Sequence, residues 1–517
     1  MSSSSIDDKH SSDEKKGNVE LEVSVEVVDT GALLVSGDAE LDPAEALRVR
    51  KKIDRHILPL MCVLYWVQFM DKTTLGNSAV LGIKTSAHLT TDEYNWLSTI
   101  FYIAYLVFQF PQNLALQRFP VAKWIAFNVF IWAILICCHA AAKDFTGLMV
   151  LRFLLGACEG VTTSGFLIVT MMFYTRREQG VRVGYWSFMN GFAQIISGFI
   201  SFGVAHIHSG PLEGWQWLMI ITGLMTFVIA VCFWLYFPDS PTTAWFLTPE
   251  ERQIAVLRLK GNQTGVENKH FKREQMIETL TDPKTWMFAL FVAFTNIPNS
   301  LSNQKPLIVN SFGFTTLQTT LLTCVDGVIS ILTIALGVNV AKWSGQRALT
   351  AFCWKIPDIL GALLVMCLPW SNKIGLLFSL WVSGLGTTAY TIVLAWAQTT
   401  TAGHTKRICT NTIIFIAYCV GNALGPIMWK DQYKPRNRVP WGVALMSFVV
   451  GMSLILTIRW YLARENKRRD AAPSEDTKYE HVCVDRIAAD GRVEKVRVVK
   501  EFLDLTDRQN RDFRYVL

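Results

Sequence analysis

The feature that most constrains this chain is a series of long apolar runs separated by short polar connections. They lie near residues 57–80, 94–115, 121–142, 147–173, 183–205 and 215–237, and, after a polar block, near 285–309, 317–340, 348–369, 374–399, 407–429 and 441–463. A run of about 18 or more apolar residues is long enough to cross a bilayer as a helix. Six runs, a break and six more predict an all-α integral membrane protein, with 12 transmembrane helices in two six-helix bundles. Composition agrees: 51% of residues are hydrophobic and 18% charged, against about a quarter charged in soluble chains.

The charge collects at the ends and in the centre. The predicted organisation is an acidic cytoplasmic tail over 1–50, a first bundle over 51–237, a cytoplasmic central loop over 238–284, a second bundle over 285–463 and a cytoplasmic tail over 464–517. The first 47 residues carry 12 Asp and Glu against 3 Lys, which reads as disordered and offers no apolar core for a cleaved signal. In the central loop, Thr248-Pro249-Glu250-Glu251 is a helix start: a capping hydroxyl, proline in the first turn, and acids near the positive end of the dipole.

Loop charges give an orientation. RVRKKIDRH precedes the first span, and the connections after the second, fourth, eighth and tenth spans hold Arg118/Lys123, Arg176/Arg177/Arg182, Lys342/Arg347 and Lys406/Arg407. The positive-inside rule then places both termini in the cytoplasm. One connection, WKDQYKPRNR after the eleventh span, runs against this pattern. The net charge of +7 mostly flanks the spans, where anionic headgroups attract it, so a lipid bilayer and no nucleic acid is the expected partner. The 11 cysteines are scattered without a C-x-x-C pair, and no His stands at metal-ligand spacing. No metal or cofactor is expected.

Ionisable residues inside the spans point to function, because each must face water or pair. In RFLLGACEG, Arg152 and Glu159 are seven residues apart, hence on one helix face and about 10 Å apart along the axis. That is too far for a direct salt bridge. The first span adds Asp71 and Lys72 as a second pair. Tyr102, Tyr105, Gln109 and Asn113 lie in the second span, Asn190 and Gln194 in the fifth, and Asn411, Tyr418 and Asn422 in the eleventh. Asn296, Asn303 and Gln304 surround a break at Pro298; Asp326, Lys355 and Asp358 follow. Singly, such groups commonly join helices; together they describe a polar cavity between two bundles. Arg152 and Lys72 can bind an anion there, and Glu159 or Asp71 can carry a proton.

At these residues the chain resembles the major facilitator superfamily, and within it the anion:cation symporters and their fungal allantoate-permease branch. MDKTTLGNSA, FQFPQNLALQRFP, RFLLGACEG, FYTRREQGVRVGYW, FPDSPTTAWFLTPEER, LTDPKTW, TTAGHTKRICTNTIIFIAYCVGNALGP and DLTDRQNRDFRYVL carry the resemblance, over roughly 50–465 and the extreme C-terminus. It implies that Asp71, Lys72, Arg152 and Glu159 line the substrate and proton sites. It places the polar position of the fifth span on Asn190 and that of the eleventh on Asn411 or Asn422. The chain departs from the family in reading D-K-T-T where D-R-x-N is usual, so Lys72 lacks the bidentate fork of arginine. WQWLMIITG and AKWSGQR have also lost usual charges.

The expected function is proton-coupled symport of a small organic anion, a carboxylate such as an allantoate-, vitamin- or amide-like solute, by alternating access. The expected protein is a monomer in the plasma membrane, with a vacuolar or other organelle membrane as the alternative. The competing readings are proton-driven efflux of a small organic acid or secondary metabolite, and a nutrient receptor without flux. An enzyme is not expected, since no G-x-S-x-G, H-E-x-x-H or P-loop is present.

Overall fold

The computed structural model describes residues 42–207, 210–260, 272–471, 483–487, 493–497, 505–510 and 512–517. The acidic stretch up to residue 41 lies outside them. The first half contains α1 (Pro43–Val80), the one-turn α2 (Ile83–Ser86), α3 (Thr91–Arg118), α4 (Val121–His139), α5 (Phe145–Phe173), α6 (Arg176–Val204) and α7 (Gly214–Tyr236). The central block forms α8 (Pro249–Lys260) and α9 (Arg273–Thr281). The second half contains α10 (Pro283–Asn296) and α11 (Leu301–Ser311) around a 3-10 turn at Pro298, then α12 (Thr316–Ser344), α13 (Arg347–Cys367), α14 (Lys373–Val382), α15 (Thr387–Thr399), α16 (His404–Leu424) and α17 (Arg438–Ala471). A short antiparallel pair, β1 (Cys483–Ile487) and β2 (Val493–Arg497), follows.

Every expected span is present, two of them as broken helices (α10 with α11, α14 with α15). α1 starts fourteen residues before the apolar run does. Asp42 caps it, its carboxylate accepting from the Ala44 N–H at 3.0 Å, Pro43 sits in the first turn, and Val49, Ile53 and Ile57 keep one face buried at four-residue spacing. Hydropathy could not place this start, because the buried stripe is interleaved with the basic residues of RVRKKIDRH.

Helix pairing repeats between the halves. α1 packs on α6 and α7, α4 on α5 and α7, and α3 on α5. In the same order, α10 packs on α16 and α17, α13 on α15 and α17, and α12 on α15. The bundles meet through α6 with α12 and through α3 with α16, which are equivalent pairs taken in opposite order, and through α1 with α11. Phe110, Val228, Leu332 and Leu336 point outward with more than half their surface exposed, an apolar belt suited to lipid.

α1 begins and α17 ends on one face, the terminal face, which also carries α8 and α9. At the opposite, far face the bundles are bonded together. Thr91 donates to Asp431 at 2.7 Å, Asn303 to Ser98 at 3.1 Å, Gln304 to Asn95 at 2.8 Å and Thr99 to the Ala423 carbonyl at 2.9 Å; Asn95 also donates to the Trp429 carbonyl. A Cβ on Gly76 would meet the Asn303 carbonyl at 3.0 Å, so α1 and α11 touch backbone to backbone there. The far face is closed.

Candidate functional site

Two helices build the site. α5 presents Arg152 and Glu159 on one face, with Gly156 between them. A Cβ at Gly156 would lie 2.2 Å from the Phe101 carbonyl oxygen, so α5 rests directly on the backbone of α3. α1 crosses beside them and brings Gln68, Asp71 and Lys72.

Glu159 is 1% exposed and pairs with Lys72, the ammonium lying 2.8 Å from Oε1. Gln68 Nε2 donates to the same oxygen at 3.3 Å. Lys72 Nζ also lies 5.7 Å from the centre of the Tyr105 ring. Asp71 precedes Lys72 by one residue, hence by about 100° around the helix, and faces elsewhere. Its Oδ2 accepts from Thr226 on α7 at 3.3 Å, and its buried Oδ1 has no hydrogen-bond partner among the described residues. The two residues that sequence presented as a pair therefore serve different neighbours.

Arg152 is 5% exposed. Its Nε has no hydrogen-bond partner, and no ion pair reaches its guanidinium among the described residues. It stands between two small cavities. One is lined by Lys72, Tyr102, Arg152 and Glu159 with Asp71 and, from the second bundle, Asn303. The other lies within the first bundle, among Asp71, Thr74, Arg152, Met219 and His139.

His139 was not marked by sequence reasoning. It is 1% exposed on the last turn of α4, its Nδ1 lies 2.7 Å from the Leu135 carbonyl, and its Nε2 has no partner among the described residues. A carbonyl can only accept, so Nδ1 carries the proton and a neutral ring leaves Nε2 as an acceptor. The only signal in the sequence is a histidine ending an apolar span, which many interfacial residues share.

Of the other expected residues, Tyr102 joins the site, its ring edge-on to Tyr418 of α16 with centroids 6.1 Å apart. Asn190 and Asn411 line neither cavity. Asn190 is half-buried on α6, and Asn411 is exposed near the start of α16, accepting from Gln398 at 2.5 Å. Asn422 is buried in helix packing: it donates to Asn296 at 3.1 Å and accepts from Asn299 at 2.7 Å, bracing the break between α10 and α11.

The family model described as Major Facilitator Superfamily matches residues 61–428. The chain belongs to the major facilitator superfamily. Its curated relatives place it in the fungal allantoate-permease branch of that superfamily. It is 34% identical over 483 residues to the thiamine pathway transporter of Saccharomyces cerevisiae, covering 93% of this chain and 87% of the relative. It is 32% identical to the allantoate permease of the same yeast, covering 93% and 88%, and 29% identical to that yeast's high affinity cysteine transporter, covering 99% and 100%. Among solved structures, the partially occluded inward open form of the xylose transporter from E. coli superposes with a TM-score of 0.61 at 13% identity, over 79% of this chain and 98% of the other. This member of the superfamily is an integral membrane protein and a secondary transporter of small molecules, not an enzyme.

Proposed function

We propose that this chain carries a small organic anion bearing a carboxylate, together with protons, by alternating access to one central site. The observation that carries the reading is Arg152, a buried permanent cation that has no counter-ion among the described residues and faces a cavity lined by both bundles. A charge at membrane depth is costly unless it meets water or a partner, and a substrate carboxylate is such a partner. Two of the relatives are named for allantoate and cysteine, both of which bear a carboxylate.

Lys72 is the second cation, and in this state Glu159 holds it at 2.8 Å. A proton on Glu159 removes the opposing charge and leaves Lys72 free for the anion. An anion on Lys72 in turn favours protonated Glu159, and linkage makes the two effects equal. Asp71 is the rival carrier. Asn190, Asn411 and Asn422 remain candidate contacts for a state in which the bundles have moved. With the basic loops in the cytoplasm, the closed far face is external. The protein then acts as a monomer in the plasma membrane.

The test is isotope flux in liposomes holding the purified protein, with a panel of carboxylates and their amides, under a pH gradient of either direction. Accumulation of a carboxylate but not its amide, driven by protons moving the same way, supports the proposal. Accumulation against the proton flow makes the protein an exporter. Binding without flux makes it a receptor.

A further inference from the structure

At the terminal face of the second bundle, residues 505–510 and 512–517 lie at a buried ionic cluster. Asp507 is 0% exposed. It lies 2.7 Å from the ammonium of Lys284 at the start of α10 and 2.9 Å from that of Lys406 at the start of α16. The Tyr515 hydroxyl donates to it at 2.6 Å. Lys406 is also held by Glu278 of α9 and by Asp282, each at 2.8 Å, and Arg508 reaches Asp282 at 3.5 Å. Thr506 donates to Glu278 at 2.9 Å.

The body reads the backbone of this segment as well. The Trp396 indole N–H donates to the Val516 carbonyl at 2.6 Å and the Arg347 N–H to that of Leu517 at 3.1 Å. Asn466 bonds both the N–H and the carbonyl of Tyr515, at 2.9 and 2.8 Å, and Arg469 donates to the Phe513 carbonyl at 2.8 Å. The Tyr515 ring lies between two cations, 4.8 Å from Lys284 and 4.6 Å from Arg469. Paired main-chain bonds plus a pocket for one aromatic side chain are how proteins bind extended peptides.

We propose that this face is a peptide-binding cleft whose ligand is the chain's own segment Leu505–Leu517, docked reversibly, and that docking ties the terminal-face ends of α9, α10, α13, α15, α16 and α17 into one unit. The ligand class is a peptide with an acidic residue eight positions before a tyrosine. The charges permit undocking. Without the segment the cluster holds Lys284 and Lys406 against Glu278 and Asp282, two of each sign; the segment adds Asp507 and Arg508, one of each. Undocking therefore leaves no net buried charge on the body, and such a charge is what would make separation prohibitive. The inference does not depend on which solute is carried.

Burial alone would push the Asp507 carboxyl up, but Lys284 and Lys406 outweigh it and hold the group below the ordinary carboxylate range. A depressed folded value gives stability that is present at neutral pH and is lost only as pH falls through that low value. Docking is thus expected to be constant between about pH 7 and pH 5.

The experiment uses the whole chain with a protease site introduced between residues 498 and 503, folded and purified in detergent and then cut. The fragment carrying 505–517 is expected to stay with the body on gel filtration. Excess synthetic peptide of the native 505–517 sequence should exchange it out. The same peptide with Asp507→Asn should need roughly tenfold more, or greater, because the two lysines lose the negative charge of their shared carboxylate. All variation sits in the peptide, so the body remains native throughout. The proposal is overturned if the cut fragment leaves at once in low salt, or if the Asn and native peptides compete equally.

Discussion

Away from the helix ends, the spans of each bundle carry two basic and two acidic side chains that are buried or half-buried, and the bundles use them differently. In the second bundle the four form two pairs. Lys305 meets Asp326 at 2.8 Å, and Lys355 meets Asp358 at 2.9 Å. Asp358 also accepts from the Gly386 N–H at 2.7 Å, a backbone donor freed by the break between α14 and α15. Of the four in the first bundle, Lys72 and Glu159 pair, while Arg152 and Asp71 stand without a charged partner among the described residues. A set in which every charge is paired fixes packing. An unpaired charge retains its capacity to bind. Under the function proposed above, the second set is structural and the first carries transport.

The largest effect should come from breaking a pair of the second set. Lys355→Met leaves Asp358 buried without its counter-ion and should destabilise the protein by about 3–5 kcal/mol. Adding Asp358→Asn should recover most of that loss, because the amide oxygen can still accept from Gly386. Thermal melting in detergent reads both. Were Lys355→Met to melt like the parent while losing substrate, the second bundle would share in binding and the comparison would fail.

Next is Arg152→Ala. It removes a cation that has no partner to orphan, so the fold should persist. Anion affinity should fall roughly a hundredfold, the 2–5 kcal/mol typical of losing a buried charge contact. Lys72→Ala should cost less, since a point charge on a flexible stem holds a carboxylate less well than a planar fork. Equilibrium binding of labelled substrate separates the two variants.

Coupling sharpens the contrast further. Glu159→Gln imitates the protonated acid and releases Lys72. It should bind and exchange substrate at all pH values, yet fail to accumulate it on a proton gradient. Asp71→Asn is the control. If accumulation survives Glu159→Gln and is lost in Asp71→Asn, the two carboxylates exchange roles.

The spans, the two halves and the placing of Arg152 and Glu159 on one helix face were legible because hydropathy and helical spacing are local properties. The partner of Glu159 was not. Lys72 lies 87 positions earlier, and only the crossing of α1 on α5 brings the two together. Asn411 and Asn422 looked equivalent in sequence, although one is exposed and the other braces a broken helix. DLTDRQNRDFRYVL read as the end of a cytoplasmic tail that shares the family resemblance, since nothing local marks Asp507 as buried against lysines at positions 284 and 406.

The smallest expected effect concerns His139, which tests whether Arg152 is merely unpaired or is held in readiness. Both line the same cavity, where the guanidinium offers a donor and His139 Nε2 an acceptor, and neither His139 Nε2 nor Arg152 Nε has a hydrogen-bond partner among the described residues. His139→Phe removes the acceptor while keeping a ring of similar size. Anion affinity should then fall by a few-fold, about the 1 kcal/mol of one hydrogen-bonding contribution, because the guanidinium is less well oriented. His139→Gln, whose Oε1 accepts, should restore it. Accumulation on a pH gradient should survive both variants, since the proton is assigned to Glu159. A histidine acting as the proton carrier would behave differently: Gln would then restore affinity and leave accumulation abolished. Loss of affinity in Phe, recovery in Gln and intact coupling in both would establish His139 as a positioning residue for Arg152. Unchanged affinity in Phe would show that α5 alone holds the guanidinium in place.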